Sequence, residues 1–374
     1  MGESNSQREL FMAKRNEHMS EFQIALSSFK KNRFAVTCVI ILCLLYGGAV
    51  FAGFLSPYSF KNEDRNYSYC PPTQIKLMDQ GRISRPYVQG IELTFNEYYK
   101  RVYTVDTAQK YPLHFFVEGD EYKLFGFIPV RHHLFGVAKG ARIYLLGADA
   151  RGRDLFSRLL YGGRVSLSIG LIGVLISFSI GLIVGGIAGY YGGRVDNILM
   201  RVCEMFMMVP GFYLLLALRA AVPDDFSSVQ VYFSIIFILS FIGWAGLARI
   251  IRGMCLSLRE RDYVLAAKGL GLSNFKIIIR HVLPHTLSYS IFAIMLSIPG
   301  YILGESALSL IGLGIQDPFA SWGNMLSDAM SIIRIKFAPW ILFPAFFIFL
   351  TVICFNVIGN ALRDCLDPML KGES

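Results

Sequence analysis

Long apolar runs recur along this sequence, and no other feature constrains its fold as strongly. Each run approaches the ~20 residues that a helix needs to cross the hydrocarbon core of a bilayer. Because a backbone in lipid must satisfy its own hydrogen bonds, each run is expected to be helical. The chain is therefore interpreted as an all-α polytopic membrane protein with six transmembrane helices, at residues 34–55, 165–190, 197–221, 231–248, 287–311 and 340–361.

Composition agrees with that interpretation. Of the 374 residues, 54% are hydrophobic and only 17% are charged, which is less charge than a soluble domain carries. The net charge of +9 could indicate nucleic acid, but the basic residues flank apolar runs, where they retain loops in the cytoplasm. No nucleic-acid partner is expected. The seven cysteines form no CxxC or His/Cys cluster, so neither a metal site nor a disulfide framework is indicated.

Two polar regions flank the first run. Residues 1–33 form a cytoplasmic tail, which is either a short surface helix or an ordinary solvated segment. Residues 56–142 are long enough for a small extracytoplasmic α/β insert. Within them, the aromatic and alternating segments Leu113–Val117 and Tyr122–Ile128 predict strands. The insert is either a packed cap on the outer membrane face or a binding surface.

The core of the membrane-spanning region is expected to cover residues 165–361, preceded by residues 143–164. That preceding segment has apolar residues at helical spacing beside arginines, which predicts a separate helix in the membrane interface. Glycines in the second run should let neighbouring helices approach closely. Pro210 should break the third run, and Trp322 should lie at the outer interface.

A polar loop at residues 249–284 separates the fourth and fifth runs. It carries seven Lys/Arg against two acids, which places the loop and both chain termini, including the tail at residues 362–374, in the cytoplasm. The capping-box spacing of Ser257 and Glu260 predicts a helix that ends before Gly269. A second helix should then follow and end at Pro284. Such a pair is suited to docking a partner.

No catalytic constellation is present, so the chain is not expected to be an enzyme or to bind a cofactor or metal itself. Glu305 is the candidate for an intramembrane polar site. It could pair across helices or line a path, and a hydrogen-bonded structural carboxylate is an equally good interpretation. If the chain moves a solute uphill, the energy would therefore come from a partner.

The polar loop also carries a spaced motif. Leu265-Ala266-Ala267, then Gly271, then nine residues to His281-Val282-Leu283-Pro284 has the spacing of Glu-Ala-Ala, three residues, Gly, nine residues, Ile-x-Leu-Pro. Here the sequence resembles the inner-membrane permease subunits of ABC importers, although Leu265 replaces Glu and His281 replaces Ile. Other stretches resemble the second permease of the oligopeptide/dipeptide/nickel branch, namely LGADARGRDLFSRLLYGGRVSLSIG, ESALSLIGLG, SWGNML and FNVIGNALRDCLDPML.

The resemblance implies the type I importer fold and a role for residues 257–284 in coupling to cytoplasmic ATPases. Implied partners are a second permease (a homologue or another copy), two ATPases that carry ATP and Mg, and an extracytoplasmic solute-binding protein, all at the bacterial inner membrane. The implied substrate is an oligopeptide or dipeptide. The alternatives are nickel chelates, another small solute, or an ion-coupled secondary transporter. The residues implied for coupling are Glu260, Arg261, Ala266, Ala267, Gly271, Leu283 and Pro284.

Overall fold

The computed structural model describes residues 21–79, 82–97, 101–137, 141–223 and 225–366. They form a helical bundle with a β-sheet at one end, here called the insert side. The opposite end, which carries residues 259–282, is called the loop side. In chain order the helices are α1 Glu21–Lys31, α2 Arg33–Val50, α3 Ala52–Leu55, α4 Leu155–Tyr191, α5 Gly193–Met208, α6 Gly211–Ala220, α7 Ser228–Leu258, α8 Asp262–Gly269, α9 Asn274–Ile277, α10 Leu283–Leu310, α11 Trp322–Met325, α12 Ile332–Phe337 and α13 Phe343–Leu366.

Several of these helices are long and apolar enough to cross a membrane. Within the described ranges, α5 and α6 would together make one further span, but the pair is bent by 84°. The break lies at Pro210, as predicted, because proline lacks an N–H donor and its ring collides with the preceding turn. The five unbroken candidates are Arg33–Val50, Leu155–Tyr191, Ser228–Leu258, Tyr289–Leu310 and Pro339–Cys365.

Helix α4 differs from the prediction at its start. It is continuous from Leu155, whereas a separate interfacial helix was expected over residues 143–164. Gly162 and Gly163 do not break it, because their missing side chains make room for packing. A Cβ on Gly162 would lie 3.2 Å from the Ser321 carbonyl carbon, and one on Gly163 would lie 3.3 Å from the Trp322 ring.

Helices α4 and α7 pack backbone against backbone. A Cβ on Gly181 would lie 3.1 Å from the Trp244 carbonyl oxygen, and one on Gly185 would collide with that of Ala248. One turn further, a Cβ on Gly189 would collide with α7 as well. This four-residue spacing of small residues brings helices close enough for extensive van der Waals contact. The predicted role of the glycines in this helix is confirmed.

The insert is a sheet of four antiparallel strands in the order β1-β2-β3-β4. Residues 113–117 lie within β3, as predicted, but the strand expected over residues 122–128 is interrupted by a turn. Phe125 and Gly126 both have positive φ there, which reverses the chain. Among the described residues, helix inside the sheet region is limited to one three-residue turn. The strands are β1 Lys76–Asp79, β2 Arg82–Phe95, β3 Arg101–Leu124 and β4 Ile128–Val137.

The sheet is fixed to the bundle at the end of α3. The buried ring of His133 places Nδ1 2.6 Å from the Ser56 carbonyl oxygen and Nε2 2.9 Å from that of Asp120. The tautomer of the ring decides which of these two carbonyl oxygens accepts its N–H. His133 is therefore a structural contact between the sheet and the end of α3.

Candidate functional site

The loop at residues 249–284 is more helical than its sequence indicated. Helix α7 continues to Leu258, so Ser257 lies inside a helix and the capping box predicted with Glu260 is wrong. The next helix, α8, starts only after Arg261. A capping box is found instead at the other end of α7, between Ser227 and Gln230.

Helix α8 ends at a glycine, as expected. Gly271 has φ +77°, a conformation that costs glycine little. The N–H of Leu272 donates to the carbonyl of Ala267 at 3.3 Å, and that of Gly271 donates to Lys268 at 3.0 Å. These bonds form a C-terminal cap of the Schellman type.

Pro284 does not end the second helix of the loop, so that prediction is wrong. Helix α9, a π-helical turn at Ile278–Val282 and α10 follow one another without a break. Proline in a helix leaves a carbonyl without its donor and crowds the preceding turn. The wider π turn removes that conflict, because the N–H of Leu283 donates to the carbonyl of Ile278 five residues earlier.

A small cluster of buried residues packs against the inner side of α8. Ala267 is 4% exposed and Val264 is equally buried, and both pack on residues of α7 and of the segment before α10. The two alanines of the motif therefore differ in role, since Ala266 faces outward. The cluster consists of Ile251, Cys255, Val264, Ala267, Ile277 and Val282.

The outer surface of α8 is unusually apolar for a loop. Leu270, directly after α8, is 81% exposed and Phe275 of α9 is 70% exposed, while Glu260 and Arg261, just before α8, are exposed as well. Exposed apolar side chains grouped inside a polar rim are typical of protein interaction sites. Leu270 and Phe275 were not predicted as site residues. Their sequence signal was an apolar residue isolated within a polar, Gly-punctuated segment.

The loop is braced against α4. The Tyr190 hydroxyl donates to Asn274 Oδ1 at 3.0 Å. Leu283 packs closely on Gly186, and a Cβ on Gly186 would lie 2.9 Å from the Leu283 side chain. Arg252 of α7 also forms a bidentate ion pair with Asp196 of α5, with Nε 2.8 Å from Oδ1. These contacts tie the loop to α4 and tie α7 to α5.

Glu305 lies away from this loop, inside the bundle, and is fully buried. Its Oε2 accepts from Ser166 Oγ at 2.9 Å and its Oε1 accepts from Ser309 Oγ at 2.7 Å. Ser166 Oγ in turn accepts from the backbone N–H of Trp322 at 3.1 Å. This geometry favours the structural carboxylate, which joins α10 to α4 and α11.

Trp322 was expected at the membrane interface, and that prediction is wrong. It is 1% exposed, and its Nε1–H donates to the carbonyl of Leu159 at 3.0 Å. The segment that carries it folds back into the bundle because the Ser166 hydroxyl, which also binds Glu305, accepts its backbone N–H.

A buried charge cluster on the insert side was not predicted. Asp317 accepts hydrogen bonds from Arg153 at 2.7 Å and from Arg158 at 3.2 Å, and Arg153 Nε lies 2.7 Å from Asp149 Oδ2. Burial raises the pKa of Asp317, but Arg153, Arg158 and Arg151 outweigh it and leave that pKa below its usual value. The cluster lines a cavity of about 460 Å³. Its arginines and aspartates pair with one another, and these pairs join the chain before α4 to the segment after α10.

A bundle with several helices long enough to span a bilayer is the architecture of a polytopic membrane protein. The family model for the inner membrane component of binding-protein-dependent transport systems matches residues 181–372, and the model for the N-terminal transmembrane domain of oligopeptide transport permease C matches residues 20–72. The chain belongs to this family of ABC transport permeases. The resemblance stated from the loop motif is confirmed.

Individual relatives agree. The dipeptide transport system permease protein DppC of Bacillus subtilis is 44% identical over 60% of this chain and 68% of its own length. The oligopeptide transport system permease protein OppC of Haemophilus influenzae is 42% identical over 60% of this chain and 70% of its own. The glutathione transport system permease protein GsiD of Pectobacterium atrosepticum is 40% identical over 60% of this chain and 73% of its own length.

Among solved structures, a chain of the inward-facing MetNI methionine ABC transporter is similar to this one. The match covers 55% of this chain and 96% of that chain, with 18% identity and a TM-score of 0.40. So distant a likeness carries no argument about the conformation of this chain.

Proposed function

We propose that this chain is a permease subunit of an ATP-driven importer of dipeptides or oligopeptides. The observation that carries the proposal is the loop side. There, exposed Leu270 and Phe275 lie over a buried cluster that is braced to α4, in a chain of the binding-protein-dependent family. A loop built this way can receive a push from a partner and pass it into the bundle.

Coupling would proceed from the outer surface of α8 inward. A cytoplasmic ATPase would cover Leu270 and the neighbouring Glu260, Arg261 and Ala266, which are all exposed. When two ATPases close on ATP and Mg, movement of α8 would pass through Ala267 into the cluster and to the bundle helices. This chain would bind neither ATP nor Mg itself.

The remaining residues of the motif have supporting roles in this proposal. Gly271 ends α8 sharply, so that the docking surface stays compact. Leu283 contacts Gly186 of α4, and Pro284 follows the π turn. Rigidity of the loop, more than any one polar contact, would carry the force. That agrees with the presence of Leu265 where related permeases have a glutamate.

The same proposal assigns topology and partners. The excess of Lys/Arg in residues 249–284 supports a cytoplasmic loop side, with α5 and α6 forming a bent third span of six and both termini inside. The insert side would then face the solute-binding protein. A second permease, either a homologue or another copy, would complete the translocation path.

The printed functions of the relatives support a peptide substrate. Two are named for dipeptides or oligopeptides and one for glutathione, itself a small peptide, so glutathione is the second candidate. Nickel chelates or another small solute remain alternatives. The discriminating experiment is ATP hydrolysis by the complete complex in proteoliposomes with its binding protein, measured with dipeptides, longer peptides, glutathione or nickel. Stimulation by nickel alone would refute the peptide assignment.

Coupling through the loop is tested by Gly271→Asp, which places a charge at the proposed docking surface. The variant should fold, because a Cβ at Gly271 has open space around it and aspartate tolerates this backbone region better than most residues. We expect membrane insertion to persist while ATPase association and transport are lost. Gly312→Asp is the matched control, because Gly312 also has positive φ and open space but lies on the insert side. Normal uptake and normal complex yield with Gly271→Asp would refute the coupling role.

A further inference from the structure

The turn between β3 and β4 is apolar at its tip. From Leu124 to Val130 the chain reads LFGFIPV, without a charge, between Lys123 and Arg131. Phe127 is 72% exposed, and the ring of Phe125 is more than half exposed. Water-facing turns are normally polar, so an uncharged aromatic tip indicates a partner surface.

The tip lies beside the insert-side end of α2. The Phe125 ring is 5.9 Å from that of Phe51, the residue at which α2 ends. Tyr122 lies over Gly53 of α3 so closely that any Cβ on Gly53 would collide with its ring. The hairpin is therefore held against a helix that is itself a candidate membrane span.

Between the hairpin and α2 runs an apolar groove of about 690 Å³. Leu44 and Gly47 of α2 line one wall, and Leu124 and Val130 line the other. Leu44 lies seven residues before Phe51, so the groove follows the span for about 10 Å from its end. The same face of α2 exposes Ile40 beyond the groove, which makes the groove continuous with the exposed apolar surface of the span.

The turn itself retains an aromatic residue at an unfavourable position. Phe125 has φ +52°, where glycine or asparagine is usual and a bulky side chain costs about 1 kcal/mol or more. In this conformation its ring reaches Phe51. Arg131 pairs with Glu121 at 3.0 Å behind the tip, and Lys123 lies between that pair and the turn.

We propose that the β3–β4 tip inserts into the bilayer leaflet on the insert side and that the groove holds a phospholipid acyl chain. Aromatic residues flanked by basic ones are stable at this depth, with rings in the interface and cations at the headgroups. Lipid is the occupant that this geometry favours, because the groove opens onto the exposed apolar face of a candidate membrane span. The inference rests on membership of a membrane permease family and does not depend on substrate or coupling.

The tip is tested with Phe127→Trp in the full chain, reconstituted in vesicles whose lipids are brominated near the headgroup or near the chain end. Emission is compared with that of the unsubstituted protein to subtract its own tryptophans. We expect about threefold stronger quenching by bromine near the headgroup than in the control Met78→Trp. Met78 is also exposed, but it lies in β1, at the far edge of the sheet.

Equal quenching of Phe127→Trp and Met78→Trp would overturn membrane insertion. So would a tip tryptophan that is protected from acrylamide yet unaffected by brominated lipid, since a protein partner would then cover it. The groove is tested with Val130→Trp, alone and with Gly47→Leu. A Cβ on Gly47 meets no atom within 4 Å, so leucine can fill the groove without a clash.

We expect Gly47→Leu to reduce lipid quenching of Val130→Trp at least about twofold, because the displaced chain carried the bromine. It should leave the quenching of Phe127→Trp unchanged. Undiminished quenching of Val130→Trp would show that no chain occupies the groove. Gel filtration of each variant confirms that the protein remains folded and monodisperse.

Discussion

Replacing Leu270 by serine should weaken ATPase association without unfolding the loop. Leu270 is 81% exposed, so serine removes almost no packing from this chain. Full burial of a leucine contributes about 1.5–3 kcal/mol, and covering the exposed four-fifths would contribute about 1.2–2.4 kcal/mol. Since each 1.4 kcal/mol is tenfold, the dissociation constant should rise about 8- to 50-fold.

The assay is binding of purified ATPase to the permease in nanodiscs, measured by biolayer interferometry, together with thermal unfolding of the permease alone. Leu77→Ser is the matched control, since Leu77 is also largely exposed but lies in the sheet at the other end of the molecule. We expect unchanged unfolding for both variants and weaker binding only for Leu270→Ser. Less than about a twofold change in that dissociation constant would refute burial of Leu270 at the interface.

Three further outcomes are expected. Ala267→Asp places an unpaired carboxylate in the buried cluster, so limited proteolysis should cleave residues 259–282 while membrane insertion persists; resistance to protease would contradict this. Gly185→Leu should force α4 from α7 and lower the yield of monodisperse protein severalfold in gel filtration, with Gly246→Leu, where a Cβ meets open space, as its tolerated control. Burial raises the pKa of Asp154, the N-cap of α4, to about 6, so its protonated form stabilises the fold below pH ~4 and this stabilisation is lost as pH rises through 6. The free energy of unfolding should therefore fall by about 3 kcal/mol between pH 4 and 7, and Asp154→Asn should remove this fall. An unchanged pH profile of thermal unfolding in that variant would refute it.

Hydropathy predicted the bundle well because a membrane span is a local property of about twenty consecutive residues. The break at Pro210 and the turn at Gly271 were also predictable, since each depends on the conformational limits of one residue. The loop motif includes both Ala266 and Ala267. It did not distinguish the buried Ala267 from the outward Ala266, because that difference depends on which neighbours fold beneath them.

The errors arose where distant residues decide the local structure. A separate interfacial helix was expected over residues 143–164, yet the Trp322 segment packs on Gly162 and Gly163 and α4 runs through them without a break. Trp322 itself looked like an interfacial anchor, but its indole donates to a carbonyl of α4. Asp317 joins Arg153 from far along the chain. No periodicity within either segment reveals such a partner.

Because α4 packs closely on α7, we expect these two helices to tilt together as one rigid unit. Helix α7 carries part of the cluster under α8 at one end, and α4 continues to the charged residues around Arg158 at the other. With 37 residues, α4 is about 55 Å long, so a tilt of only about 5° at the loop side moves its far end by about 5 Å. If an ATPase moves the loop side as proposed above, α4 would carry that movement to the insert side.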